Sequence, residues 1–282
     1  MTNKNPVLAN LPRELPIMAV LGLTHPGDGD WARLRGLQYS SLAKVTQVRI
    51  LAHCIAALGV IRLYFGHVHI AALLGWVVLL GAGLYHGARI DKTLGDADRR
   101  RMSRDEVNRQ WVSSIASALV WVVPMAGFGP FGDPTARLEL WAVTAMLMTA
   151  SAVLLPAVPL GNLMFAGIVG GGALISFLFA GSVEMALVSL VFVIVVGLGA
   201  IENARSFLTA RIAEAGMAER NEVVSLLLRE FEEGEADWLW QTDTSRRVRS
   251  VSPRFAFALG MNPDEIDGKP FIQLIAGQAW DT

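Results

Sequence analysis

Apolar residues in this chain gather into six long runs rather than alternating or recurring on one helical face. The runs are Ile50–Phe65, Ile70–Tyr85, Trp111–Phe128, Leu138–Leu155, Leu163–Ala180 and Glu184–Ile201. A helix crossing about 30 Å of hydrocarbon needs roughly 20 predominantly apolar residues, so each run predicts a transmembrane helix. The first run is short and carries Arg62 one turn inside its outer edge, where a long side chain can reach back to the interface. Pro124 predicts a kink in the third run. Glu184 opens the sixth, where a carboxylate suits the positive end of a helix. The tight links "GHVH" and "GSVE" predict helical hairpins.

After Ile201 the pattern changes twice. "ENARSFLTARIAEAGMAERNEVVSLLLREFEE" is rich in Ala, Leu, Glu and Arg and predicts one long helix, continuous with the sixth span. Leu208, Ile212 and Ala215 recur at coiled-coil spacing, and Val223, Leu227 and Phe231 resume it after a gap. That spacing predicts a dimeric connector with Leu208 and Leu227 facing the second copy; an amphipathic helix packed on the tail domain is the plainer alternative. From Gly234 the text is that of a small mixed domain: "WLWQTD" as a strand, "DTSRR" as a turn with Asp243 or Ser245 bonding back to the backbone, and "VRSVS" as the return strand. Ser252 and Pro253 then cap a short helix that Gly260 ends, and a second short helix is expected at Asp264–Ile266. The fold class is therefore mainly α: a polytopic six-helix transmembrane bundle (47–201) behind a cytoplasmic N-terminal segment (1–46), a connector helix (202–233) and an incomplete α+β tail (234–282).

Composition sharpens this. The chain has 282 residues, 53% hydrophobic and only 17% charged, against about 25% charged in soluble domains. Its mean hydropathy is +0.43. Lys and Arg collect in the N-terminal flank (Arg33, Arg35, Lys44, Arg49) and between the second and third runs, while the other links hold Arg137 alone. By the positive-inside rule both termini face the cytoplasm of a bacterial inner membrane, which requires an even number of spans. The net charge of −1, with no basic domain, argues against a nucleic-acid partner. The single cysteine, Cys54, excludes an internal disulfide. Leu15–Leu23 is too short to span; it reads as a segment lying on the membrane or as a disordered tail.

Ionisable groups inside a membrane are functional candidates. His53 and His86 fall near the cytoplasmic ends of the first two runs and are candidate cofactor ligands, for haem or a metal, with ordinary hydrogen bonding or solvation as the plainer reading. His67 and His69 form "HVH" in the first outer link and are candidate metal ligands, though two ligands make a weak site. The glycines of "AGIVGGGALISF" (Gly167, Gly170, Gly171 and Gly172) read as helix packing, with a ligand cleft as the alternative. No cofactor follows from the residues themselves.

The words "DWLWQTD", "VRSVSPRFAFALGMNPDEIDGKPF" and the following "LI" resemble the first half of a PAS domain. With six spans and a connector, "LLLREFEEGEADWLWQTD" resembles the junction in membrane-anchored alphaproteobacterial signalling proteins that continue into GGDEF and EAL domains. That resemblance implies a homodimeric sensor of a small-molecule cue, in a lipid bilayer, whose output is cyclic di-GMP synthesis or hydrolysis. Sensor histidine kinases share the architecture, and a small transporter with a regulatory tail is the reading from another class. Neither a GGDEF nor an EAL motif occurs in these residues, so no catalytic residue is placed here. The half-length tail is expected to be a truncation.

Overall fold

The computed structural model describes residues 15–27, 29–233 and 240–276. Six long helices follow two short ones. Helices α1 (Ile17–Val20) and α2 (Trp31–Tyr39) precede α3 (Leu42–Tyr64), α4 (Ile70–Thr93), α5 (Arg104–Val123), α6 (Pro134–Leu154), α7 (Pro159–Phe179) and α8 (Val183–Glu233). Each of the six is long and apolar enough to cross a membrane, so the chain is a multi-pass membrane protein. The helices outrun the apolar runs. Helix α3 begins eight residues before Ile50 because Lys44, Thr46 and Arg49 continue it beyond the hydrocarbon.

The surface shows which solvent the bundle is built for. Leu51, Ile55 and Leu58 on α3, Leu74 and Val78 on α4, and Leu187, Val191 and Leu198 on α8 are all more than half exposed. Apolar stripes of that extent face lipid rather than water. Gln110, Thr144, Asn162 and Ser189 are instead buried. Helix α5 packs on α7 and α4, α3 on α6 and α4, and α6 on α7. Phe192 and Val196 bring α8 onto the same core, and Phe192 meets Trp141 of α6 edge-on at 5.7 Å.

Close helix approach uses two of the four glycines of "AGIVGGGALISF". A Cβ at Gly170 would collide with Val193 of α8, and one at Gly172 would press on Val122 of α5 at 3.2 Å. Gly167 and Gly171 face open space.

The expected distortion at Pro124 is a π-helical turn, Pro124–Phe128. Proline has no N–H to give the carbonyl four residues back. That carbonyl belongs to Val120, and the indole Nε1 of Trp76 on α4 donates to it at 2.9 Å.

Leu15–Leu23 is ordered rather than a disordered tail. Ala19 and Val20, with Trp31 and Leu34 of α2, are buried against Ala204 and Leu208 of α8, while Ile17, Met18 and Leu23 keep an exposed apolar edge. Nine apolar residues cannot span a bilayer, but they can cover the apolar face that α8 presents beyond its last membrane turn. Asp30 caps α2 through the amide of Arg33 at 3.1 Å and takes Arg101 at 2.7 Å. A short 3₁₀ turn, Ala97–Arg99, lies so close to α2 that a Cβ at Gly36 would strike the carbonyl oxygens of Ala97 and Arg100.

Contacts divide the chain into two units, residues 1–214 and 215–282. In the second, β1 (Trp240–Thr242) and β2 (Val248–Val251) pair antiparallel, with a register shift between Gln241 and Thr242. The Ser252 hydroxyl accepts from the Phe255 amide at 3.2 Å and starts α9 (Pro253–Leu259). Gly260 ends it with a φ of 67°. Helices α10 (Pro263–Ile266) and α11 (Phe271–Ala276) follow. Val248, Ala256 and Ile266 form a small core, and Trp240 stacks on Phe255 at 5.0 Å and on Phe271 at 4.8 Å. The expected hairpin, capped helix and short helix are thus present, as one two-stranded sheet among the described residues. Gly234, Trp238, Leu239 and residues 277–282, which also entered the sequence reading, lie outside them.

Asp243 holds the hairpin turn. Its Oδ1 accepts the amides of Ser245 and Arg247, each at 2.9 Å, and its Oδ2 takes Arg249 Nε at 3.2 Å. The Arg247 amide leads in holding this carboxyl below the usual carboxylate range, with the Ser245 amide and Arg249 adding to it. A depressed pKa means the turn is fully supported above the ordinary carboxylate value of about 4 and loses support as pH falls through the lower, folded value. Hairpin amide protection should therefore fall at acid pH in the natural chain. In Asp243→Asn it should begin lower and lose that pH dependence, as amide exchange across the titration would read.

Candidate functional site

The bundle holds a polar cavity at its arginine-rich end, with a volume of about 60 Å³, between α3, α4, α5, α6 and α7. That is room for a few ordered waters or a very small ligand. Its polar lining comes from Arg49 and His53 on α3, Gln110, Ser113, Ser114 and Ser117 on α5, Ser151 on α6 and Asn162 on α7. Three of these positions follow from local sequence. Gln110, Ser114 and Ser117 recur at helical spacing on one face of α5. Gly161, one residue before Asn162, lets α7 approach α5, since a Cβ there would sit 2.6 Å from Ser114 Oγ.

Hydrogen bonds fix what each group can still offer. Trp121 Nε1 donates to His53 Nδ1 at 2.9 Å. An imidazole that accepts at Nδ1 carries its proton on Nε2, so His53 can present one N–H donor. Ser114 donates to the Gln110 carbonyl at 3.1 Å, leaving its oxygen as an acceptor. The Gln110 side chain is 2% exposed and its Oε1 has no partner. A buried amide oxygen left unpaired costs about 1–3 kcal/mol, and it marks where a bound donor would be held. Arg49 is already committed: it pairs with Asp91 at 2.5 Å, and Thr46 reaches the same carboxylate oxygen at 2.7 Å. The cavity thus suits a small neutral molecule with both a donor and an acceptor.

A second set of bonds links the cavity wall to α8. Ser151 donates to Asn162 Oδ1 at 2.8 Å, and Asn162 Nδ2 donates to the Leu155 carbonyl at 2.8 Å. One turn away, Asn203 of α8 donates to the carbonyls of Ala152 and Val153 at 3.0 and 3.2 Å. The last carbonyls of a helix have no partner within it. Here Asn203 of α8 satisfies two of the last carbonyls of α6, and Asn162 in the cavity wall shares the carbonyl of the capping residue Leu155 with the Val158 amide.

The sequence candidates are distributed unevenly. His53 is buried at the cavity, against Trp121 and Phe165. His86 is exposed and lines a different cleft, so the two imidazoles do not meet in one site. His67 is exposed in the link, and His69 uses its Nδ1 to accept the Ala71 amide at 3.2 Å as the cap of α4. Among the described residues no three of His, Cys, Asp and Glu stand close enough to hold a metal. Cys54 is exposed on the lipid face of α3. Sequence reasoning missed Gln110, Asn162 and Asn203. Asn162 follows Pro159 at the start of an apolar run and was the most visible signal; Gln110 was masked by the arginines around it. No protein-family model, no curated protein and no solved structure matches the chain.

Proposed function

We propose that this chain is the membrane-embedded sensory and anchoring module of a bacterial signal-transduction protein. The inner cavity takes the cue, a small neutral polar molecule, and α8 carries the resulting bias toward the tail. Both ends of the described chain face the cytoplasm, as the arginine distribution implies. The PAS-like wording of the tail supports an output of cyclic di-GMP turnover from a homodimer, with a histidine-kinase output as the competing reading. The observation that carries the proposal is the hydrogen-bonded end of α6, which joins Asn162 in the cavity wall to Asn203 on the one helix that runs on to Glu233. A relay needs such an element shared by both sites.

The test is a double-mutant cycle in lipid nanodiscs. Filling the cavity with Ser114→Leu should change amide exchange in residues 209–226 several-fold, and the change should vanish in an Asn203→Ala background. Equal exchange in wild type and Ser114→Leu would remove the relay, and saturable solute flux in proteoliposomes would replace it with a transporter. The lipid-facing change Val78→Ala serves as control.

A further inference from the structure

A second, larger cleft of about 430 Å³ opens between the end of α4 and the start of α5. Its α4 wall is His86, Arg89, Ile90 and Thr93, spaced at i, i+3, i+4 and i+7, which is one helix face. Its α5 wall is Ser103, Glu106 and Arg109, each one turn from the next. The only carboxylate in the lining, Glu106, is already bound on both oxygens by Arg100, at 2.6 and 3.0 Å. Neither Arg89 nor Arg109 has a carboxylate partner among the described residues; Arg89 rests on the Tyr85 ring at 5.5 Å. The cleft therefore carries two uncompensated guanidinium groups, with Ser103 and Thr93 hydroxyls beside them.

We propose that this cleft binds the phosphate headgroup of an anionic phospholipid. Guanidinium pairs match phosphate oxygens in geometry and charge, and basic pockets between helices at this depth suit anionic headgroups. A lipid is favoured over a soluble phosphate by what lies on the membrane side of the cleft. Leu79, seven residues before His86 on the same α4 face, is 56% exposed, and Val112, one turn beyond Arg109, is 64% exposed. At 1.5 Å per residue Leu79 stands about 10 Å above His86, so the acyl chains of a lipid whose headgroup sits in the cleft meet exposed apolar side chains on both helices.

Native mass spectrometry of the delipidated full chain, titrated with phosphatidylglycerol, phosphatidylcholine or inorganic phosphate, tests this. Phosphatidylglycerol should bind at least tenfold more tightly than phosphatidylcholine. Arg89→Ala/Arg109→Ala should weaken it about thirtyfold, the expected loss for two juxtamembrane cations. Arg89→Lys/Arg109→Lys, which keeps both charges, should bind within a few-fold of wild type and separates charge loss from misfolding. Arg62→Ala, at the opposite end of α3, should change nothing. Unaltered phosphatidylglycerol binding by the double alanine variant would overturn the site, and inorganic phosphate binding as tightly as the lipid would overturn the lipid as its ligand.

Discussion

Trp121→Ala should destabilise the bundle by about 3–5 kcal/mol, the largest loss expected from one side chain. Trp121 is fully buried, meets Trp76 edge-on at 5.5 Å and lies 5.7 Å from His53. Removing it opens a cavity between α3, α4 and α5. Lipid tails are as apolar as the protein core, so within a membrane the loss is one of packing and hydrogen bonding rather than of escape from water. It also strips His53 Nδ1 of its donor, freeing the ring to rotate. Trp121→Phe separates the two effects: it keeps most of the packing and should cost about 1 kcal/mol for the lost hydrogen bond. Unfolding in mixed detergent micelles measures both. A loss below 1 kcal/mol for the alanine variant would mean that the aromatic cluster does not hold the bundle together.

The second large effect is expected where the N-terminal helices meet α8. Leu208 is fully buried there, and Leu208→Ala should cost about 2–5 kcal/mol of local stability. Arg35, 3% exposed, donates to the carbonyls of Ala19 and Val20 and to Gln38 Oε1 at 2.5 Å. Burial lowers its pKa from the ordinary arginine value. Arg35→Ala leaves the Val20 carbonyl and Gln38 Oε1 unpaired, at about 1–3 kcal/mol each if water does not reach them, while the Ala19 carbonyl keeps the Gly22 amide at 3.0 Å. Both variants should raise amide exchange at Ala19–Leu21 while leaving α5 and α7 protected. Uniform protection would show that the contact is not a separate unit. The same burial bears on dimerisation. Leu208 was expected on a face open to a second copy, yet the chain's own α1 and α2 cover it. A cysteine at 208 should not crosslink copies, whereas Val223 and Leu226, at 45% and 58% exposure, remain available.

The six spans were legible because a membrane reads apolar length almost directly, and Ser252, Pro253 and Gly260 were legible because caps are local chemistry. Pro124 announced a distortion, but not that Trp76 on another helix would satisfy the carbonyl it orphans. That depends on which faces meet, and a run apolar on all sides does not say. Arg49 and Asp91 read as flank and loop charges. Their pairing across α3 and α4 appears only once the helices are set side by side. The cavity was hidden for the same reason. Gln110, Ser114 and Asn162 are unremarkable singly, and His53 drew notice only for its titratable ring.

The docking of α1 and α2 on α8 also sets a timetable. About 170 residues separate Tyr39 from Leu208. At roughly 5–20 residues per second of synthesis, Trp31 and Leu34 wait on the order of 10–30 s for the surface that buries them. All six hydrophobic segments must enter the bilayer during that interval. Closure of the N-terminal helices thus follows entry of the sixth segment, and its completion reports that the whole membrane domain has been inserted.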